Sequence, residues 1–72
     1  MLELYDVVSI NHDDEEYNLR KGQQGTIVDV LAGGSAYVVE FYDDAGETNE
    51  DALFADFRPD ELSLIKSFKT IV

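Results

Sequence analysis

The residues able to do chemistry in this 72-residue chain are almost all carboxylates. The one histidine, His12, is followed directly by Asp13, Asp14, Glu15 and Glu16, and a second acidic run, Asp43, Asp44 and Glu47, follows Tyr42. Paired carboxylates can pass protons as acid and base, but only around a pocket that holds a substrate. So short a domain fills its interior with its own side chains. A lone histidine in an acidic stretch is more often a solvated surface group than a catalyst. No serine stands in a nucleophile setting, and there is no cysteine. The expectation is no catalytic residue and no enzyme.

The same carboxylates are hard oxygen donors of the kind calcium accepts. Neither run has the spacing of a dedicated calcium loop, and adjacent carboxylates in a loop point in different directions. No metal site and no cofactor is expected. Charge narrows the partners further. Sixteen acidic residues face five basic ones, for a net charge of −11. Arg20, Lys21, Arg58, Lys66 and Lys69 are the whole basic complement. Nucleic-acid binding rests on lysines and arginines that displace counterions from phosphates, so it is not expected. Anionic membrane surfaces are disfavoured for the same reason. A protein with a basic surface is the favoured partner, through steering and complementarity. The plainer reading is that the acidity serves solubility alone.

The elements that must position these groups are short strands. Gly22 and Gly25 sit three apart, directly ahead of the β-branched run Thr26-Ile27-Val28. A glycine pair there predicts a tight turn feeding a bent or closely packed strand. Residues 4–10 read as a first strand and 11–18 as a long polar loop. Residues 26–31 form a second strand. Gly33 and Gly34 mark a short hairpin connection. Residues 36–42 are a third strand, with Tyr37, Val39 and Phe41 on one face. A turn with Gly46 follows at 43–47. Residues 48–55 are assigned as a strand, with a short helix as the rival. The only proline, Pro59, starts a helical turn. Residues 63–65 are a last strand, and the tail 66–72 is apolar enough to pack.

These features predict one all-β domain over residues 1–72, with its core at about 4–65. The expected fold is a small five-stranded, partly open barrel of the SH3-like type, with one short 3-10 turn before the last strand. The oligonucleotide-binding barrel wants longer strands and a helix between the third and fourth, and a five-residue turn at 43–47 leaves no room for one. A domain of this size buries only about 60% of the surface its unfolded chain exposes, so its stability margin is thin. The lack of cysteine suits a reducing compartment. No run of about 18 apolar residues is present, and the first residues lack signal-peptide features. The expected location is the cytoplasm.

Tyr5-Asp6-Val7-Val8, Leu19-Arg20-Lys21-Gly22, Gly25-Thr26-Ile27-Val28, Tyr37-Val38-Val39-Glu40-Phe41 and Arg58-Pro59-Asp60-Glu61-Leu62 occur in that order. Together they resemble a group of short, uncharacterised bacterial proteins classed as a domain of unknown function, over roughly residues 4–65. The resemblance implies an SH3-like fold and no established activity. The glycine-and-valine core also looks like the RNA-binding motif of ribosomal and transcription-factor SH3-like barrels. More distantly, it is similar to the barrel of the nitrile hydratase beta subunit. The chain departs from the RNA-binding motif where Asp13, Asp14, Glu15 and Glu16 replace loop lysines.

The favoured function is a non-catalytic, acidic protein-binding module. Barrels of the SH3-like type take extended peptides along aromatic-lined grooves. Tyr5, Tyr17, Tyr42, Phe54 and Phe57 lie at strand ends or in loops. Phe54 and Phe57 are expected as core caps. The candidate contact surface is Asp13, Asp14, Glu15, Glu16, Tyr17, Tyr42, Asp43 and Asp44. A sharper version is an inhibitor or immunity-type protein that masks a basic nuclease or toxin. A second class, by analogy with nitrile hydratase, is an accessory subunit of a metalloenzyme. The edge strand or the tail could also pair with a second copy to make a homodimer.

Overall fold

The computed structural model describes residues 1–70. Its strands are β1 (Val7–Ile10), β2 (Gln24–Leu31), β3 (Ala36–Phe41), β4 (Asp56–Phe57) and β5 (Leu62–Lys66). They form a single antiparallel sheet in the order β4-β3-β2-β1-β5, and the sheet does not close into a barrel. A 3-10 turn at Pro59–Glu61 precedes β5, as the lone proline implies.

Side-chain alternation explains the layering. Val8 and Ile10 of β1, Ile27 of β2, and Tyr37, Val39 and Phe41 of β3 are all buried, while their neighbours are not. Leu19, Ala52, Ala55, Phe57 and Leu62 complete the cluster. Each large apolar side chain buried this way contributes about 1.5–3 kcal/mol. Phe57 packs edge-on to Phe41 with ring centroids 5.3 Å apart. A register shift between Ile27 and Asp29 bulges β2 at Val28, which is exposed. Such a bulge bends its strand and deepens the twist.

Several elements differ from expectation. β1 starts at Val7 and not at residue 4, because Tyr5 turns the chain with a φ of 70°. Gly22 has the positive φ of a turn residue, as do Gly33, Gly34 and Gly46, but Gly25 does not. Gly25 lies inside β2, between Val8 and Phe41. Its role is close approach: a Cβ there would stand 2.5 Å from the Glu40 carbonyl oxygen and 2.9 Å from the Phe41 Cα.

Residues 48–55 are not a strand. Thr48 makes an isolated bridge to Tyr42, and Glu50–Ala52 is a 3-10 turn. Asn49 caps that turn by accepting the Ala52 N–H at 3.1 Å, the usual service of asparagine at this position. The connection between β3 and β4 is therefore longer than a five-residue turn, and it holds one 3-10 turn. The tail does not extend β5. Phe68–Thr70 turns away as another 3-10 segment, and residues 71 and 72 of the expected tail lie outside the described residues.

Asp6 holds these ends together. It is the one buried charged side chain among the described residues, only 2% exposed. Its carboxylate accepts the Glu3 N–H on one oxygen and the Phe68 N–H on the other, each at 2.9 Å. Nearby, Tyr5 packs edge-on to Phe68 at 5.5 Å, and Lys69 Nζ meets Glu3 Oε1 at 2.9 Å.

Candidate functional site

The first acidic loop is a small hairpin outside the sheet. Asp14 and Leu19 exchange backbone hydrogen bonds at 2.9 and 2.8 Å, and Asn18 takes a φ of 54° to make the return. Asp14 Oδ1 accepts the Tyr17 N–H at 3.3 Å, and Asp13 Oδ1 accepts the Lys21 N–H at 2.8 Å. These two aspartates therefore hold the loop. Glu15 and Glu16 stand at its exposed tip.

The second loop repeats the device. Asp43 Oδ1 accepts the N–H groups of Ala45 and Glu47, both at 2.9 Å, which shapes the turn around Gly46. Asp44 stays exposed. Asn49 then joins the two loops: its Nδ2 donates to the Tyr17 and Asn18 carbonyls at 3.0 and 3.1 Å.

Between the loops lies an open polar groove of about 640 Å³, with Arg20, Asp43, Glu47, Asn49, Glu50 and Asp51 among its walls. Arg20 also borders a smaller depression, about 270 Å³, with Asp13, Asp14 and Glu15. Arg20 thus stands between Asp43 on one side and Asp13, Asp14 and Glu15 on the other, while Glu16 and Tyr17 line neither depression. Tyr42, Asp43 and Asp44 border a third depression beside Gln23. The Asn49, Glu50 and Asp51 contributions escaped the sequence assignment, because a strand over 48–55 would have sent alternate side chains to opposite faces. The asparagine before Glu-Asp-Ala was the available signal for a capped turn.

The aromatic candidates divide. Tyr17 is half-buried and packs edge-on to Phe57 at 5.9 Å, so its ring is partly a core cap. Its phenol pKa is raised, first by the charge of Glu16 and then by desolvation. Tyr42 donates its hydroxyl to Glu40 Oε1 at 2.9 Å. Phe57 is a core residue, as expected. Phe54 is not: it is 92% exposed, projecting beyond the Glu50–Ala52 turn. The turn aims the neighbouring Ala52 and Ala55 inward in its place.

His12 links the first loop to the Pro59–Glu61 turn. Its Nε2 lies 3.0 Å from Glu61 Oε1, and its Nδ1 lies 2.9 Å from the Asp13 carbonyl oxygen. The imidazole pKa is raised above its usual 6.5, first by the Asp13 carbonyl and then by Glu61. Glu61 is already committed, since its other oxygen accepts the Arg58 N–H at 2.8 Å. Among the described residues no group of three or more His, Cys, Asp or Glu could hold a metal ion. No helix among them is long and apolar enough to cross a membrane.

No curated protein and no solved structure matches this chain. One family model does, over residues 4–58, a stretch that includes β1 to β4, both acidic loops and the groove between them. That model describes a domain of unknown function, and this chain belongs to its family, DUF4926.

Proposed function

We propose that this protein is a non-catalytic, acidic, cytoplasmic module of the SH3-like type that binds a protein with a basic surface. The sheet order supports the SH3-like reading: four strands in meander, with the last returning to pair with the first. One observation carries the binding reading. Asn49 clamps two acidic loops side by side, so that Asp43, Glu47, Glu50 and Asp51 line one groove, with Glu15 and Asp44 in the two depressions that adjoin it. A concave face in which four carboxylates outnumber the one cation, Arg20, keeps a negative field that speeds capture of an oppositely charged partner. A nuclease or toxin with a phosphate-binding site is the sharper version, since that site offers the complementary charge.

The test separates the free carboxylates from those that hold the loops. A variant with Glu15, Glu16, Asp44, Glu47, Glu50 and Asp51 changed to their amides leaves Asp13, Asp14, Asp43 and Asn49 in place. Wild type and variant are used as baits at low and high salt, and the captured protein is identified by mass. Its affinity for both forms is then measured by calorimetry. The proposal expects a basic protein, lost at high salt and bound at least tenfold more weakly by the amide variant. Equal affinity for both forms would remove the groove from the interface.

A further inference from the structure

The sheet has two edges, and they differ. β4 is two residues long and carries Asp56, which blunts that edge. β5 has five residues, and four of them, Ser63, Leu64, Ile65 and Lys66, are exposed. Leu64 and Ile65 are 52% and 50% exposed. The ladder direction can be read from its bonds. Ile10 turns its N–H and C=O to the β2 side, meeting Gln23 and Gly22, while the Asn11 N–H reaches the Glu61 carbonyl. Alternation then puts residues 61 and 63 toward β1 and turns the peptide groups of Leu64 outward, where no strand stands among the described residues.

We propose that β5 pairs with β5 of a second copy, antiparallel across a two-fold axis at Leu64, to form a homodimer. The charge pattern of the strand selects this occupant. Asp60 and Glu61 precede it, Lys66 and Lys69 end it, and residues 62–72 contain no carboxylate side chain. Antiparallel self-pairing sets the basic end of one strand beside the acidic end of the other. Centred on Leu64, it places Lys66 opposite Leu62 of the second copy, next to the Pro59–Glu61 turn that carries its Asp60 and Glu61. Among the described residues Lys66 makes no ion pair. With a net charge of −11, two copies repel over most of their surface, and this segment is where the repulsion is lowest. The register shift opposite Val7 and Val8 ends regular pairing after Leu64, and the contact is isologous, so association closes at two copies. This interface is independent of the acidic groove and does not rest on the proposed partner.

The test uses charge at the axis. Light scattering after size separation should give twice the 8.1 kDa chain mass for wild type at high concentration, falling toward one chain on dilution. Leu64→Lys and Leu64→Glu each set like charges against each other across the axis, so each alone should be monomeric. An equimolar mixture of the two should regain the doubled mass. In wild type, with no substitution, exchange of the Leu64 amide hydrogen should slow as concentration rises, while the Val39 amide is unaffected. A wild type that stays at one chain mass up to about millimolar concentration overturns the proposal. So does doubling in either variant alone, or a Leu64 amide indifferent to concentration.

Discussion

Gly25 is where the register of the whole sheet can be tested by one methyl group. Replacing it with alanine puts a Cβ 2.5 Å from the Glu40 carbonyl oxygen, 2.8 Å from Val39 Cγ1 and 2.9 Å from the Phe41 Cα. Two of these neighbours are backbone, so rotating a side chain cannot relieve them. Favourable carbon contacts need about 3.5–4.0 Å, so β3 would have to retreat by roughly 1 Å. Overpacking of this kind costs about 1–3 kcal/mol. Retreat also stretches the β2–β3 ladder at its Gly25–Phe41 end, and each ladder bond lost costs about 0.5–1.5 kcal/mol. Reduced freedom of the unfolded chain returns about 0.4–1 kcal/mol. The expected net loss is about 0.5–4 kcal/mol, centred near 2. A domain of this length has only about 4–11 kcal/mol in total. Urea unfolding followed by far-ultraviolet circular dichroism and tyrosine emission measures it, and a loss of 3 kcal/mol would lower Tm by about 12–24 °C. Gly46→Ala is the control, because Gly46 has a φ of 80° but no atom within 4 Å of the added carbon. Backbone strain alone should cost it about 1–2 kcal/mol. If Gly25→Ala lost less than about 0.5 kcal/mol, the close approach and the pairing of Gly25 with Phe41 would both be refuted.

Asp6→Ala strands the Glu3 and Phe68 N–H groups and should cost about 2–4 kcal/mol, with Asp6→Asn near half of that; a urea midpoint unchanged in Asp6→Ala would exclude the latch. The raised His12 pKa sets a pH dependence: its contribution is complete below the unfolded value of 6.5 and is lost as pH rises through the folded pKa. The Tm difference between wild type and His12→Ala should therefore be larger at about pH 5.5 than at about pH 8.5, and the opposite order would contradict the Glu61 link. Phe54→Ala should change stability by less than about 0.5 kcal/mol, since the ring is 92% exposed. Phe57→Ala should cost about 3–5 kcal/mol in the same assay, and equal losses would disprove their assigned environments.

The legible parts of this fold were those governed by local rules. The alternation of Tyr37, Val39 and Phe41 marked a buried strand, and Pro59 before Asp60 and Glu61 marked a helical turn, because both signals depend on neighbouring residues alone. What failed depended on contacts made at a distance. Leu4 and Tyr5 look like strand residues, but the Asp6 carboxylate is needed for a bond to Phe68, and the chain turns to supply it. Ala52, Leu53 and Phe54 look like a strand too, until Asn49 caps the preceding turn and rotates Phe54 outward. Gly25 was read for its backbone freedom, whereas Phe41 and Glu40 demand its lack of a side chain. In the acidic loops, charge marked the candidate residues. It did not show the division of labour, in which Asp13, Asp14 and Asp43 shape the loops and leave their neighbours exposed.

The Asp6 latch also bears on the order in which the molecule assembles. Asp6 and Phe68 are 62 residues apart, and the strands beside them, β1 and β5, pair across nearly the whole chain. β2 and β3, by contrast, are joined by only four residues, 32–35. Loop closure becomes costlier only with the logarithm of length, so the distant pairing weighs more on folding rate than on stability. The β2–β3 hairpin is the natural nucleus, and docking of β5 and the Phe68 turn is the last event. Substitutions at Asp6 or in β5 should then act on the unfolding rate, while those in the hairpin act on the folding rate. The return of the chain's far end to its beginning then completes the native state after the main barrier has been crossed.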